Sequence, residues 1–187
     1  MSSHLDYEIN KELGECYLFM GDFDKAEEYY AKAVSSNGVH ADPYLGLATI
    51  AVQRGNLDKA LTLYEKAVSI DGCDKAFAGL ALVEMEVGRP EKAYEHFCQA
   101  LDQNPENVIA VFGLIQTAHG LARLGDVLTP LERFIETNPE HHDVRFSLAG
   151  CLVSLGRNED AVRHLERILE LQPEHQAAKE LYSKLAA

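Results

Sequence analysis

The stretch GDFDKAEEYYAKAV, residues 21–34, returns as GNLDKALTLYEKAV at 55–68, GRPEKAYEHFCQAL at 88–101 and GRNEDAVRHLERIL at 156–169. Each copy opens on a glycine and carries an alanine five residues later. Ala26, Ala60, Ala93 and Ala161 fall 34, 33 and twice 34 residues apart, with Val127 in the vacant slot. Gly21, Gly55, Gly88 and Gly156 climb the same ladder, and Gly38, Gly72, Pro105, Pro139 and Pro173 close the units. A period near 34 along a whole chain belongs to stacked helical hairpins.

Within a unit the pattern is helix, turn, helix. Ile9, Leu13, Cys16, Tyr17 and Met20 recur at helical spacing, Gly21-Asp22 interrupts them, and Ala26, Tyr29, Tyr30, Ala33 and Val34 resume. The alanine is small because the two helices of a hairpin approach closely there. Tyr30, Tyr64 and Phe97 follow their alanines by four residues and share their face. Pro90 falls at a first helical position, where a missing N–H costs nothing. The expected units cover residues 7–40, 41–73, 74–107, 108–141 and 142–173 of a single domain, and 174–187 form a capping helix. That cap carries Ala178, Leu181, Tyr182 and Leu185 on its apolar side, covering the face that a last repeat leaves bare.

The fourth unit is irregular. Val111, Leu114, Ile115 and Ala118 keep helical register, but the turn glycine is displaced to Gly125. Thr129-Pro130-Leu131-Glu132 has the form of a capping box, so a longer first helix and a second helix about a turn late are expected. Val127 and Phe134 occupy slots that hold alanine elsewhere, which implies looser hairpin packing.

These residues resemble the tetratricopeptide repeat family. Leu13-Gly14, Tyr17, Ala26, Tyr30 and Ala33 match its pattern in the first unit. Tyr44, Leu47-Ala48, Ala60, Tyr64 and Ala67 match it in the second, and Phe77, Leu80-Ala81, Ala93, Phe97, Ala100 and Pro105 in the third. Leu148-Ala149, Leu152, Ala161, Leu165 and Pro173 do so in the fifth. Asn10 and Arg145 replace the usual bulky opening residue, and Glu84 replaces a tyrosine. The resemblance implies an all-α, right-handed α-solenoid whose first helices line a concave, peptide-binding groove.

Laid on this sequence by helical geometry, that groove takes Glu8, Lys11, Glu15, Leu18 and Phe19 from the first unit, and Leu45, Thr49 and Val52 from the second. Lys75, Ala78, Leu82 and Met85 follow from the third, Ile109, Phe112, Gln116 and His119 from the fourth, and Phe146, Gly150 and Val153 from the fifth. Gly46, Gly79, Gly113 and Ser147 stand one residue aside, where they are expected to leave room for a ligand. One subset of the family grips a C-terminal carboxylate with a two-lysine clamp. Lys11 and Lys75 match its lysines, whereas Glu15, Gly46 and Gly79 replace its other residues, and Glu15 would repel a carboxylate.

Composition narrows the function. The 187 residues carry a net charge of −13, which disfavours nucleic acid and anionic membrane surfaces. No apolar run is long enough to insert in a membrane, and Met1-Ser2-Ser3-His4-Leu5-Asp6 is unlike a secretory leader. Cys16, Cys73, Cys98 and Cys151 are scattered, as free thiols of a cytoplasmic protein would be. No HExxH, GxSxG, Walker or dinucleotide motif occurs, so no cofactor is expected. Glu27-Glu28 belong to a solvated face. His141-His142-Asp143, and likewise His96 with Cys98, point apart on a helix, so no metal site is expected. The reading is a non-catalytic adaptor that holds a peptide or an amphipathic helix of a protein partner. Its rivals are a module that self-associates through the groove and a repeat fragment of a larger enzyme.

Overall fold

The structure, a computed structural model, describes residues 2–186, all helix and turn with no strand among them. It divides into two compact units, the first ending at Gln103 and the second beginning at Asn104.

The first unit holds α1 (Ser2–Phe19), α2 (Phe23–Ser36), α3 (Asp42–Gln53), α4 (Leu57–Ile70), α5 (Asp74–Glu86) and α6 (Pro90–Gln103). They pack as the hairpins α1–α2, α3–α4 and α5–α6, and the first helices α1, α3 and α5 also touch in turn. Ala26, Ala60 and Ala93 are fully buried between paired helices, as are Ala33, Ala67 and Ala100 one face on. Tyr7, Tyr30 and Phe97 fill the space around them, each no more than 2% exposed. Burying one such ring contributes about 2–3 kcal/mol before entropy is charged against it. On α1 the inward face differs from the expected one. Tyr7 and Gly14 are buried, while Ile9, Cys16 and Met20 of the apolar pattern lie exposed on the outer side.

The turns explain the glycine ladder. Gly21, Gly55, Gly88 and Gly156 all have φ between +72° and +76°, which glycine adopts without steric cost. Around Gly21 the amides of Asp22 and Gly21 donate to the carbonyls of Tyr17 and Leu18, a Schellman motif that satisfies the last carbonyls of α1. The next helix is then capped, because the Asp22 side chain accepts from the Lys25 amide at 3.2 Å and Asn56 does the same for Lys59.

The second unit holds α7 (Val108–Gly120), a 3-10 turn (Leu124–Val127), α8 (Leu128–Thr137), α9 (His142–Ser154), α10 (Asn158–Leu171) and α11 (Gln176–Leu185). Its first hairpin corrects three sequence expectations. The left-handed turn residue is not Gly125 but Ala122, at φ +56°, so the ladder stays in register with an alanine on the rung. The same Schellman bonds form there, from Arg123 to Ala118 and from Ala122 to His119. The first helix is not lengthened, since α7 and α5 both have 13 residues. Nor is there a capping box: Thr129 and Pro130 lie inside α8, whose cap residue Val127 offers no side-chain bond. The late start of α8 is real, because Leu124–Val127 wind as a 3-10 turn and α7 packs chiefly on that turn. Val127 and Phe134 are both buried to 1% exposure or less, so the larger residues fill the hairpin. At the end of the chain, α11 packs on α10 with Ala178 enclosed and Leu181, Tyr182 and Leu185 half-buried. The Tyr182 hydroxyl donates to Glu166 at 3.2 Å.

Candidate functional site: the first-helix faces

Glycines shape the first-helix face of the first unit. A Cβ at Gly14 or Gly46 would run into the ring of Tyr30, and one at Gly79 into the ring of Tyr64. The small residues on α1, α3 and α5 are therefore windows filled from behind by tyrosines of α2 and α4. This corrects the expectation that Gly46 and Gly79 leave room for a ligand. The tyrosine bodies are core, but their hydroxyls travel through to the other face. The Tyr64 oxygen lies 3.4 Å from Thr49 Oγ1, which itself donates to the Leu45 carbonyl at 2.9 Å.

Tyr30 is 2% exposed, and its hydroxyl has no hydrogen-bond partner among the described residues. Burial first, and then the carboxylates of Glu15 and Asp42, hold this phenol above the usual tyrosine range. Tyr7 is raised too, by burial and then Asp42. Asp42 stands on the stripe of α3 that carries Leu45, Thr49 and Val52, a member that the sequence reading passed over.

The other residues of the inferred groove divide by exposure. In the first unit Lys11 is half-buried, bonded to Glu8 at 2.9 Å and 6.0 Å from the Tyr7 ring centre. Leu18, Leu45 and Val52 are half-buried against the inter-helix core, and Ala78 is buried. Glu15, Phe19, Lys75 and Leu82 are exposed, and Thr49 and Met85 are half-exposed. In the second unit Ile109 is 56% and Phe112 37% exposed, and Gln116 and His119 lie open on the same helix. Phe146, Gly150 and Val153 are half-buried, Phe146 with its ring 5.5 Å from that of His175. Gly113 is buried, and Ser147 donates to its own helix at the Asp143 carbonyl.

Polar groups elsewhere have structural partners. Glu84 is 3% exposed and meets His96 Nδ1 at 2.6 Å, so its carboxylate is satisfied inside the α5–α6 hairpin. Glu27 on α2 bridges Lys59 on α4 and Arg54 at the end of α3, which holds its carboxyl below the ordinary range. His141 and His175 cap α9 and α11 through Nδ1. A cleft of about 400 Å³ lies between α8, α9 and α10, lined by Glu132, Ile135, Glu136, Pro139, Arg145 and His164. There Arg145 donates to the Pro139 carbonyl at 3.0 Å, and its Nε is enclosed without a partner. Two carboxylates beside one guanidinium give this cleft no single charge preference. Among the described residues, no three His, Cys, Asp or Glu side chains converge as a metal would require. None of those residues forms a helix long and apolar enough to cross a membrane, and the four cysteines are not in disulfides.

Models of the tetratricopeptide repeat match residues 7–72 and 123–185. The chain belongs to the tetratricopeptide repeat family. Among relatives of this repeat protein, the BBSome complex member BBS4 of Bos taurus is 34% identical over 118 residues, covering 62% of this chain and 22% of BBS4. The mitochondrial import receptor subunit TOM70 of Rattus norvegicus is 31% identical over 101 residues, covering 52% of this chain and 17% of TOM70. The chain thus spans about a fifth of the length of these relatives. Solved structures share the fold. Pseudomonas aeruginosa pilF superposes with a TM-score of 0.79 at 18% identity, covering 100% of this chain and 85% of pilF. YrrB, a tetratricopeptide repeat protein with an unusual peptide-binding site, does so at 0.71 and 20% identity, covering 91% of this chain and 89% of its own.

Proposed function

We propose that this chain is a protein-interaction module, without chemistry of its own, that holds a peptide or amphipathic helix of a partner on its first-helix faces. The observation that carries the reading is the solvent exposure of Ile109 and Phe112, large apolar side chains on α7 of the second unit. Apolar surface left in water on an otherwise acidic, soluble chain favours a partner that covers it. An amphipathic helix suits such a face because its own apolar stripe repeats every three to four residues. The names of the relatives, a complex member and an import receptor subunit, agree with a protein ligand, as does the peptide-binding site of YrrB.

The test is a random peptide library displayed against the whole chain, followed by titration of the strongest binder. Phe112→Ala should weaken that binder about thirtyfold, as loss of an aromatic anchor worth about 2 kcal/mol does. Helicity should stay unchanged. Phe146→Ala should do less, because His175 already covers part of that ring. The control is Glu65→Ala, an exposed side chain on α4. Equal binding by wild type and Phe112→Ala would move the site off α7.

A further inference from the structure

We infer that the first-helix face of the first unit accepts a basic side chain, with arginine favoured, from the bound segment, and that Glu15, Asp42 and the Tyr30 hydroxyl hold it. The inference rests on the protein-binding reading above and adds the chemistry of its ligand. Three observations meet at this place. Glu15 on α1 and Asp42 on α3 are exposed carboxylates on adjacent first helices, and neither has an ion-pair or hydrogen-bond partner among the described residues. Between these helices the Tyr30 ring comes through the windows at Gly14 and Gly46. Its side chain is 2% exposed, the ring carbon that bears the hydroxyl is the atom nearest a Cβ at Gly46, and the hydroxyl has no hydrogen-bond partner among the described residues. Independently, both carboxylates act on Tyr30 in the direction that disfavours negative charge, so the hydroxyl lies within their field.

The nearby cations only partly offset that field. Lys11 is bonded to Glu8 at 2.9 Å and also feels the Glu15 charge, so one ammonium stands against the carboxylates of Glu8, Glu15 and Asp42, and Lys75 is exposed on α5, with α3 between it and Glu15 on α1. Two carboxylates and a phenol oxygen make an acceptor set spread over two helices. A guanidinium, with five N–H donors in a planar fork, satisfies several separated acceptors at once, whereas an ammonium concentrates three donors at a point. The same set repels a carboxylate, so the ligand preference is opposite in sign to that of the two-lysine clamp. Leu18 and Leu45, half-buried on the same two helices, offer apolar contact to the stem of a long basic side chain.

The experiment uses the whole chain and a random displayed peptide library. Enriched peptides should carry arginine or lysine beside an apolar residue. In a synthetic copy of the strongest binder, replacing the arginine by the neutral isostere citrulline should weaken binding about tenfold, the loss typical of a charge-assisted hydrogen bond. In the Glu15→Gln/Asp42→Asn double variant the two peptides should bind almost equally. Tyr30→Phe keeps the ring in its window and should reduce the arginine preference while leaving the thermal midpoint unchanged. Binders without basic residues, or a citrulline ratio unaffected by the double variant, would overturn this inference and leave the protein-binding proposal standing. A library from which nothing is enriched would overturn both.

Discussion

Four residues after each hairpin alanine, the first unit carries Tyr30, Tyr64 and Phe97, and at the same rung the second unit carries Leu131 and Leu165. All five are buried, at 9% exposure or less, so the slot demands bulk in both regions. What differs is what continues beyond the slot. In the first unit the tyrosines fill glycine windows, the Tyr64 hydroxyl meets Thr49, and the Tyr30 phenol feels the charges of Glu15 and Asp42. In the second unit an aliphatic side chain ends inside the core, and the exposed side chains on α7 include Val108, Ile109 and Phe112, with Gln116 and His119. One repeat frame thus supports an acidic patch near the tyrosine tips in one region and an apolar patch on α7 in the other. The packing rule constrains only volume, so a filler with a polar tip alters the surface chemistry without altering the core.

The comparison breaks most visibly at the glycines. Gly46→Ala puts a methyl group into the Tyr30 ring and should cost about 1–3 kcal/mol, the range for overpacking a filled core. Gly150 in α9 of the second unit has open space where a Cβ would go. Gly150→Ala should therefore stabilise by about 0.5–1 kcal/mol through helix propensity alone. Urea denaturation of the two variants checks the pair, and a like sign for both would refute the window account.

A smaller effect is expected at the turn of the fourth hairpin. Ala122 holds the left-handed conformation that glycine holds at the other four rungs. Ala122→Gly should raise stability by about 1 kcal/mol by removing the steric cost at Cβ, measured by the same denaturation.

The smallest expected effect is a pH dependence of the second unit. Burial, then Arg145 and Arg163, hold His164 below its ordinary pKa of 6.5. The folded chain therefore resists a proton that the unfolded chain accepts, and stability falls as the pH drops below about 6.5. His164→Gln should flatten that part of the acid limb in thermal melts between about pH 5 and 7.

Much of this architecture was legible in the sequence because periodic small residues have one physical meaning. Ala26, Ala60, Ala93 and Ala161 recur where helices touch, and each is fully buried. The turn at Ala122 escaped because an alanine carries no mark of a left-handed conformation, and the nearby Gly125 offered a more obvious candidate. The role of Gly46 and Gly79 escaped for a different reason. A glycine on a helix means close approach, but the sequence does not say whether a ligand or a side chain of the same fold approaches. Tyr30 was placed in the core correctly, yet its hydroxyl became part of a face only once the window was seen. Asp42 is legible in the sequence, three residues before Leu45 on one helical stripe.

The claim that the first-helix faces meet the partner is tested most directly by methyl-resolved NMR of the whole chain, with and without a peptide taken from the displayed library. The methyl signals of Ile109 on α7 should shift on binding, while those of Leu63 on α4 and Leu171 on α10 should stay in place. Shifts confined to Leu63 and Leu171 would put the ligand on the second helices and contradict the account.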